Sequence, residues 1–160
     1  VVGHSAGGHL ALWLASRPKV AAGSDLYSAA PLPVAGVVAL AGITDLRTYA
    51  LGSGACNAAV PDLMGGLARS VGVRYDEASP LELVPLGVPV RLVHGALDAI
   101  VPLEQSRRFA NAERRAHGNV TFDVIPRAGH FDVVAPFAAA WPSVEKRILE
   151  LAAGGERTPR

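Results

Sequence analysis

The chain is expected to fold as an α/β protein built on a mostly parallel sheet flanked by helices. Three observations predict it. Short apolar runs alternate with helix-forming segments along the 160 residues, and strands separated by helices pair in parallel. Hydrophobic residues make up 50% of the chain and charged residues 18%, with a positive mean hydropathy, which suits strands buried on both faces. Near the start, Gly3-His4-Ser5-Ala6-Gly7 follows the apolar strand end Val1-Val2 and precedes a run of helix formers. That pattern reads as a nucleophile elbow, a sharp turn that strains the serine backbone and lifts its hydroxyl clear of the sheet. Gly3 and Gly7 are expected there because strand and helix backbones nearly touch.

The elements follow in order. Residues 7–17 carry Leu10, Ala11, Leu12, Trp13, Leu14 and Ala15, good helix formers, and Pro18 stops them. Residues 19–33 are loop-like. Residues 34–41 form a continuous apolar run bounded by turn signals, hence a buried strand. Residues 44–87 are rich in Gly, Ala, Pro and Ser with weak periodicity. They are expected to be an irregular insertion with short helices near 45–50 and 60–70, of the kind that lines a substrate site. Residues 88–94 are the next strand, turning at Gly95. Residues 102–117 read as a helix with Pro102 in its first turn and Gly118 past its end. Residues 120–125 form a further strand closed by Pro126. Residues 131–153 are expected to be mostly helical, interrupted near Pro142, and 154–160 a polar, flexible tail. Residues 1–153 thus read as part of one domain. A chain that opens on a strand end, without an initiator methionine, is expected to be a piece of a larger protein.

Composition narrows the function. A net charge of +1 with scattered basic residues argues against nucleic acid or an anionic membrane as partner. The pairs Arg107-Arg108 and Arg114-Arg115 read as solvated helix surface. The longest apolar run, residues 34–43, is too short to span a bilayer. The single cysteine, Cys56, excludes an internal disulfide and a cysteine-based metal site, and reads as a structural thiol. No signal peptide is visible, and a cytoplasmic location is the expectation. The histidines lack metal-ligand spacing on one element, and Gly7-Gly8 lacks the lysine of a phosphate-binding loop. No metal and no cofactor are therefore expected.

The chemistry lies in three residues. A serine hydroxyl needs a histidine to take its proton and a carboxylate to orient that histidine. Ser5 follows the first strand, Asp98 follows the strand 88–94, and His130 follows the strand 120–125. In a parallel sheet all three fall at the carboxyl edge, where ligands bind. Asp45, after the strand 34–41, is an alternative acid, although capping of the helix before Leu46 is its ordinary reading. Asp132 is expected to cap a helix or contact a neighbouring loop. His94 is expected to pack at a strand end, His4 to support the elbow, and His9, Trp13 and Trp141 to be structural.

These residues resemble a known superfamily. Gly3-His4-Ser5-Ala6-Gly7-Gly8-His9 resembles the elbow of small serine esterases and of arylformamidase-like hydrolases, the group near kynurenine formamidase. Val93-His94-Gly95 with Asp98 and Val101-Pro102, and Ala128-Gly129-His130-Phe131, resemble the acid and base motifs of the α/β-hydrolases. The chain order Ser, Asp, His is also theirs. The resemblance covers nearly the whole chain and is weakest over 46–80. It implies the C-terminal part of an α/β-hydrolase fold, with its N-terminal strands missing. It implies Ser5 as nucleophile, Asp98 as acid, His130 as general base and the backbone N–H of Ala6 as one oxyanion donor. The expected activity is hydrolysis of carboxylic esters or small amides, a small-molecule substrate in either case. The alternatives are a prolyl-oligopeptidase-type peptidase and an inactive fragment. Family members take a second oxyanion donor from a loop before the elbow. The segment alone is therefore expected to be inactive and, with an unpaired sheet side, poorly soluble.

Overall fold

The computed structural model describes residues 1–155. Four parallel strands form one sheet in the order β1 (Val2–His4), β2 (Val37–Leu40), β3 (Val90–Gly95), β4 (Val120–Ile125). Val38 pairs with Val2 on one side and Arg91 on the other, and His94 pairs with Val124. The helices are α1 (Ala6–Ser16), α2 (Leu46–Tyr49), α3 (Ala55–Met64), α4 (Gly72–Ala78), α5 (Glu104–Arg115) and α6 (Trp141–Gly155).

The sheet is buried on both faces, as its unbroken apolar runs require. Val37 and Ala39 of β2 point with Val90 and Leu92 of β3 into a core closed by Leu12 of α1 and Phe109 of α5. The alternate residues Val38, Leu40 and Val93 pack on the opposite face against Val144 of α6, with Val133 and Ala128. A third cluster, Ile43, Leu46, Tyr49, Val60, Tyr75 and Val101, holds the inserted segment to the carboxyl edge of the sheet. At α5 Glu104 lies in the first turn and Arg114 and Arg115 in the last, which complements the helix dipole.

Four expectations need correction. The strand expected over 34–41 is only Val37–Leu40, because the parallel ladder begins where Val37 N–H donates to Pro89 O and Val38 N–H to Val1 O. The second short helix of the insertion is α3, which ends at Gly65 in the left-handed conformation, and α4 was not expected at all. Only Tyr75 and Ala78 of α4 are buried, too few for a helical period to show in the sequence. Pro142 does not interrupt a helix but lies in the first turn of α6, where its missing N–H breaks no bond. Residues 131–140 are turns. Cys56 is exposed rather than structural. Of the tail expected over 154–160, Gly154 and Gly155 close α6, and 156–160 lie outside the described residues. Among the described residues no helix is long and apolar enough to cross a membrane.

Candidate active site

Because all four strands run the same way, the residues that follow β1, β3 and β4 emerge at one edge. Ser5 comes directly after β1 and before α1, with φ 56° and ψ −120°. A non-glycine residue in that region is strained by about 1–3 kcal/mol and persists only where its surroundings hold it. Here they do: Ser5 N–H donates to Leu40 O at 2.9 Å, and Ser5 O accepts from His9 N–H at 3.0 Å. Ala6 opens α1, so its N–H has no intrahelical acceptor.

The turn is tight on one side only. A Cβ at Gly3 would lie 2.0 Å from the Gly7 carbonyl oxygen, so glycine is required there. A Cβ at Gly7 would meet nothing within 4 Å. The steric argument for Gly7 therefore fails, and the second close approach belongs to Gly8, whose Cβ would come within 2.8 Å of Gly42 Cα after β2. Gly7 contributes its carbonyl to the contact, not its lack of a side chain.

Asp98 and His130 come together. His130 Nδ1–H donates to Asp98 Oδ2 at 2.8 Å, and the two side chains are 4% and 0% exposed. The other oxygen, Oδ1, accepts from Ile100 N–H at 2.8 Å and Val101 N–H at 2.9 Å. Burial pushes the Asp98 carboxyl up, but the bonds from His130, Val101 and Ile100 outweigh it and hold the group below its ordinary range. The loops that carry the two residues are laced by Leu97 N–H donating to Ala128 O at 2.9 Å. Gly95 makes this possible, since a Cβ there would sit 2.3 Å from Ala128 O.

His130 is in turn held against the turn of Ser5. His4 Nε2–H donates to the backbone oxygen of His130 at 2.8 Å, and the two rings lie 4.5 Å apart. Burial lowers the basicity of His4 and favours its neutral form.

His94, expected to pack at a strand end, also makes polar contacts beside Asp98. His94, fully buried at the end of β3, has Nε2 2.9 Å from Val101 O and Nδ1 2.8 Å from Ser106 Oγ. Nε2–H donates to the carbonyl and Nδ1 accepts from the Ser106 hydroxyl, the neutral tautomer that burial also favours. The sequence signal is a histidine inside an apolar strand, four residues before Asp98.

The remaining candidates have other partners. Asp45 caps α2 by accepting from Thr48 N–H and pairs with Arg108 at 2.9 Å. It is thus engaged away from His130. Asp132 accepts from Gly129 N–H at 2.6 Å, a loop contact. His9 Nε2–H donates to Ala78 O and Trp13 Nε1–H to Glu77 O, tying α1 to α4. Among the described residues no group of three or more His, Cys, Asp or Glu side chains is placed to hold a metal ion.

The order of strands, with three chemically typed residues at one edge, is that of part of an α/β-hydrolase fold. The BD-FAE family model matches residues 1–112, and the chain belongs to that family. Solved structures agree on the fold. A truncated form of a carbohydrate esterase from gut microbiota is similar over 95% of this chain, with 21% identity and a TM-score of 0.74. A thermophilic esterase from the Planctomycetes species Thermogutta terrifontis, butyrate bound, is similar over 99% of the chain, with 22% identity and a TM-score of 0.70. The acylaminoacyl peptidase of Pyrococcus horikoshii is similar over 98%, with 20% identity and a TM-score of 0.68. The chain spans 59% and 57% of the length of the two esterases and 23% of the peptidase. No curated protein matches the sequence.

Proposed function

We propose that the protein carrying this chain is a serine hydrolase that cleaves carboxylic esters or small amides through an acyl-enzyme. The observation that carries the reading is the 2.8 Å hydrogen bond from His130 to Asp98, with the His130 backbone bonded to His4, the neighbour of a serine at positive φ in a strand–turn–helix. With Nδ1 protonated and bound to Asp98, the Nε2 lone pair of His130 is free to act as the base. Ser5 Oγ–H gives its proton to Nε2 as Oγ bonds to the substrate carbonyl carbon. The C=O electron pair moves onto oxygen, where the Ala6 N–H stabilises it. Collapse re-forms the carbonyl and breaks the C–O or C–N bond, and the leaving group takes the proton from Nε2. Water then loses a proton to Nε2 and attacks the acyl carbon. The second collapse frees the acid and returns the proton to Ser5.

Similarity to two esterases supports ester substrates. An N-formyl aryl amine, as in arylformamidases, is a small amide that the same chemistry would open. The peptidase similarity favours a second reading, a prolyl-oligopeptidase-type catalytic domain acting on peptides. Under either reading Ala6 is one oxyanion donor, and the 160 residues, which span 59% and 57% of the two esterases, are expected to be inactive alone if a second donor is wanting. One missing donor costs about 10²–10³ in turnover.

The test is a fluorophosphonate probe applied to the full-length protein and to its Ser5→Ala variant. Labelling should be lost in the variant; undiminished labelling would defeat the assignment of Ser5. An aryl acetate, formanilide and an acylated peptide, compared by kcat/KM, separate the substrate readings.

A further inference from the structure

We infer that His4 is a positioning residue for the reaction, holding the general base at its working distance from the nucleophile. The inference rests on the reading of Ser5 and His130 given above. The nucleophile and the base come from β1 and β4, the two outer strands of the described sheet, with β2 and β3 between them. Backbone pairing alone does not fix their separation. Among the described residues, one hydrogen bond joins residues 3–8 to residues 126–132: the 2.8 Å bond from His4 Nε2–H to His130 O. His4 is covalently next to Ser5, and its acceptor belongs to the base itself. The bond therefore couples the two reacting side chains through two backbone positions.

The rings add to it. His4 and His130 lie 4.5 Å apart at 47°, and Phe131 closes the cluster edge-on to His130 at 5.1 Å. Phe131 is exposed, so His4 is the ring that backs His130 from the protein side. The neutral form of His4 suits this place. It keeps one N–H for the carbonyl and puts no positive charge beside an imidazole that must itself become positive.

A misplacement of about 1 Å between reacting groups costs on the order of 100-fold in rate. His4→Phe keeps a ring and removes the donor. His4→Gln removes the ring, while its amide nitrogen reaches about as far as Nε2 and can donate to the same carbonyl. Both are made in the full-length protein and assayed with an aryl acetate beside wild type and Ser5→Ala. His4→Phe should lower kcat about 10- to 100-fold with KM changed less than about twofold, and His4→Gln should recover most of the loss. Wild-type kcat in His4→Phe would overturn the inference. So would a His4→Gln variant that melts at the wild-type temperature yet is no better than His4→Phe, or a loss confined to KM. The functional reading fails separately: it falls if Ser5→Ala keeps wild-type turnover, whereas an inactive Ser5→Ala beside a fully active His4→Phe removes the role of His4 alone.

Discussion

His94 Nε2 stands 3.2 Å from Asp98 Oδ2, the same carboxylate oxygen that accepts from His130. Two imidazoles therefore converge on one oxygen. His94 reaches it from inside the sheet and His130 from the edge. The carboxylate has no freedom to turn, because its second oxygen is bound by the N–H groups of Ile100 and Val101. Asp98 is thus fixed in place and ionised, and both properties are needed of a group that orients a base.

The acid can be assigned by comparing two aspartates. Asp98→Asn replaces an acceptor facing His130 Nδ1 by an amide that can force the wrong tautomer, and about 10⁴-fold in kcat is the expected loss. Asp45 is held by Thr48 N–H and Arg108. Asp45→Asn should leave kcat within about twofold, and Asp45→Ala should cost about 1 kcal/mol of stability through the lost cap. Steady-state kinetics and denaturant unfolding of the full-length variants check both. A strong kinetic loss in Asp45→Asn would return the acid to β2.

The glycines of the turn should not behave alike. Gly3→Ala places a methyl 2.0 Å from a backbone oxygen and should destabilise by about 3 kcal/mol or more. Gly8→Ala meets Gly42 Cα at 2.8 Å and should cost about 1–3 kcal/mol. Gly7→Ala sits in open space on a helix and should be neutral or stabilising by up to about 1 kcal/mol. Thermal melting of the three variants gives the order Gly3 below Gly8 below Gly7, and equal melting points would contradict it.

Acid should weaken the fold from neutral pH downward. Burial holds His4, His9 and His94 below their ordinary 6.5, so between the folded and unfolded pKa values the unfolded chain binds more protons. The stability contributed by keeping these imidazoles neutral is complete above about pH 6.5 and is lost as the pH falls through that value toward their folded pKa values. Asp98 adds a further loss below its ordinary 3.8. Glu113 acts in the opposite sense. It is fully buried, with Oε1 accepting from Leu86 N–H and Oε2 without a partner among the described residues, and burial pushes its carboxyl above 4.5. Its contribution is favourable at low pH and is lost as the pH rises through its raised value. Melting temperatures should therefore fall between pH 7 and pH 5, by about 2–4 °C for each kcal/mol lost. The slope should be shallower in His94→Gln. Glu113→Gln should melt above wild type at pH 8 and lose that advantage near pH 4. A flat profile between pH 7 and pH 5 would refute the histidine argument.

Much of this was legible in the sequence because it depends on order. Strands 88–94 and 120–125 showed as apolar runs, and Asp98 and His130 each follow one of them. Parallel pairing then brings both to one edge without any knowledge of side-chain contacts. What stayed hidden depends on approach through space. Gly7 looked required from spacing, yet the helix meets the neighbouring loop one residue later, at Gly8 and Gly42. Gly95 read as a simple turn, although its role is to admit the Ala128 carbonyl. His94 read as packing because Ser106 and Val101, its partners, lie on other elements. In the insertion, α4 is anchored by two residues and has no period to read.

The bond from His130 to Asp98 closes a loop of 32 residues, and the bond from His4 to the His130 carbonyl closes one of 126. By chain statistics the longer closure costs about 1.2 kcal/mol more entropy. Asp98 and His130 meet within one βαβ unit, whereas the bond to His4 also needs β1 docked on β2. On the function proposed above, loosening β1 from the sheet edge would part Ser5 from His130 while leaving the pairing of His130 with Asp98 intact.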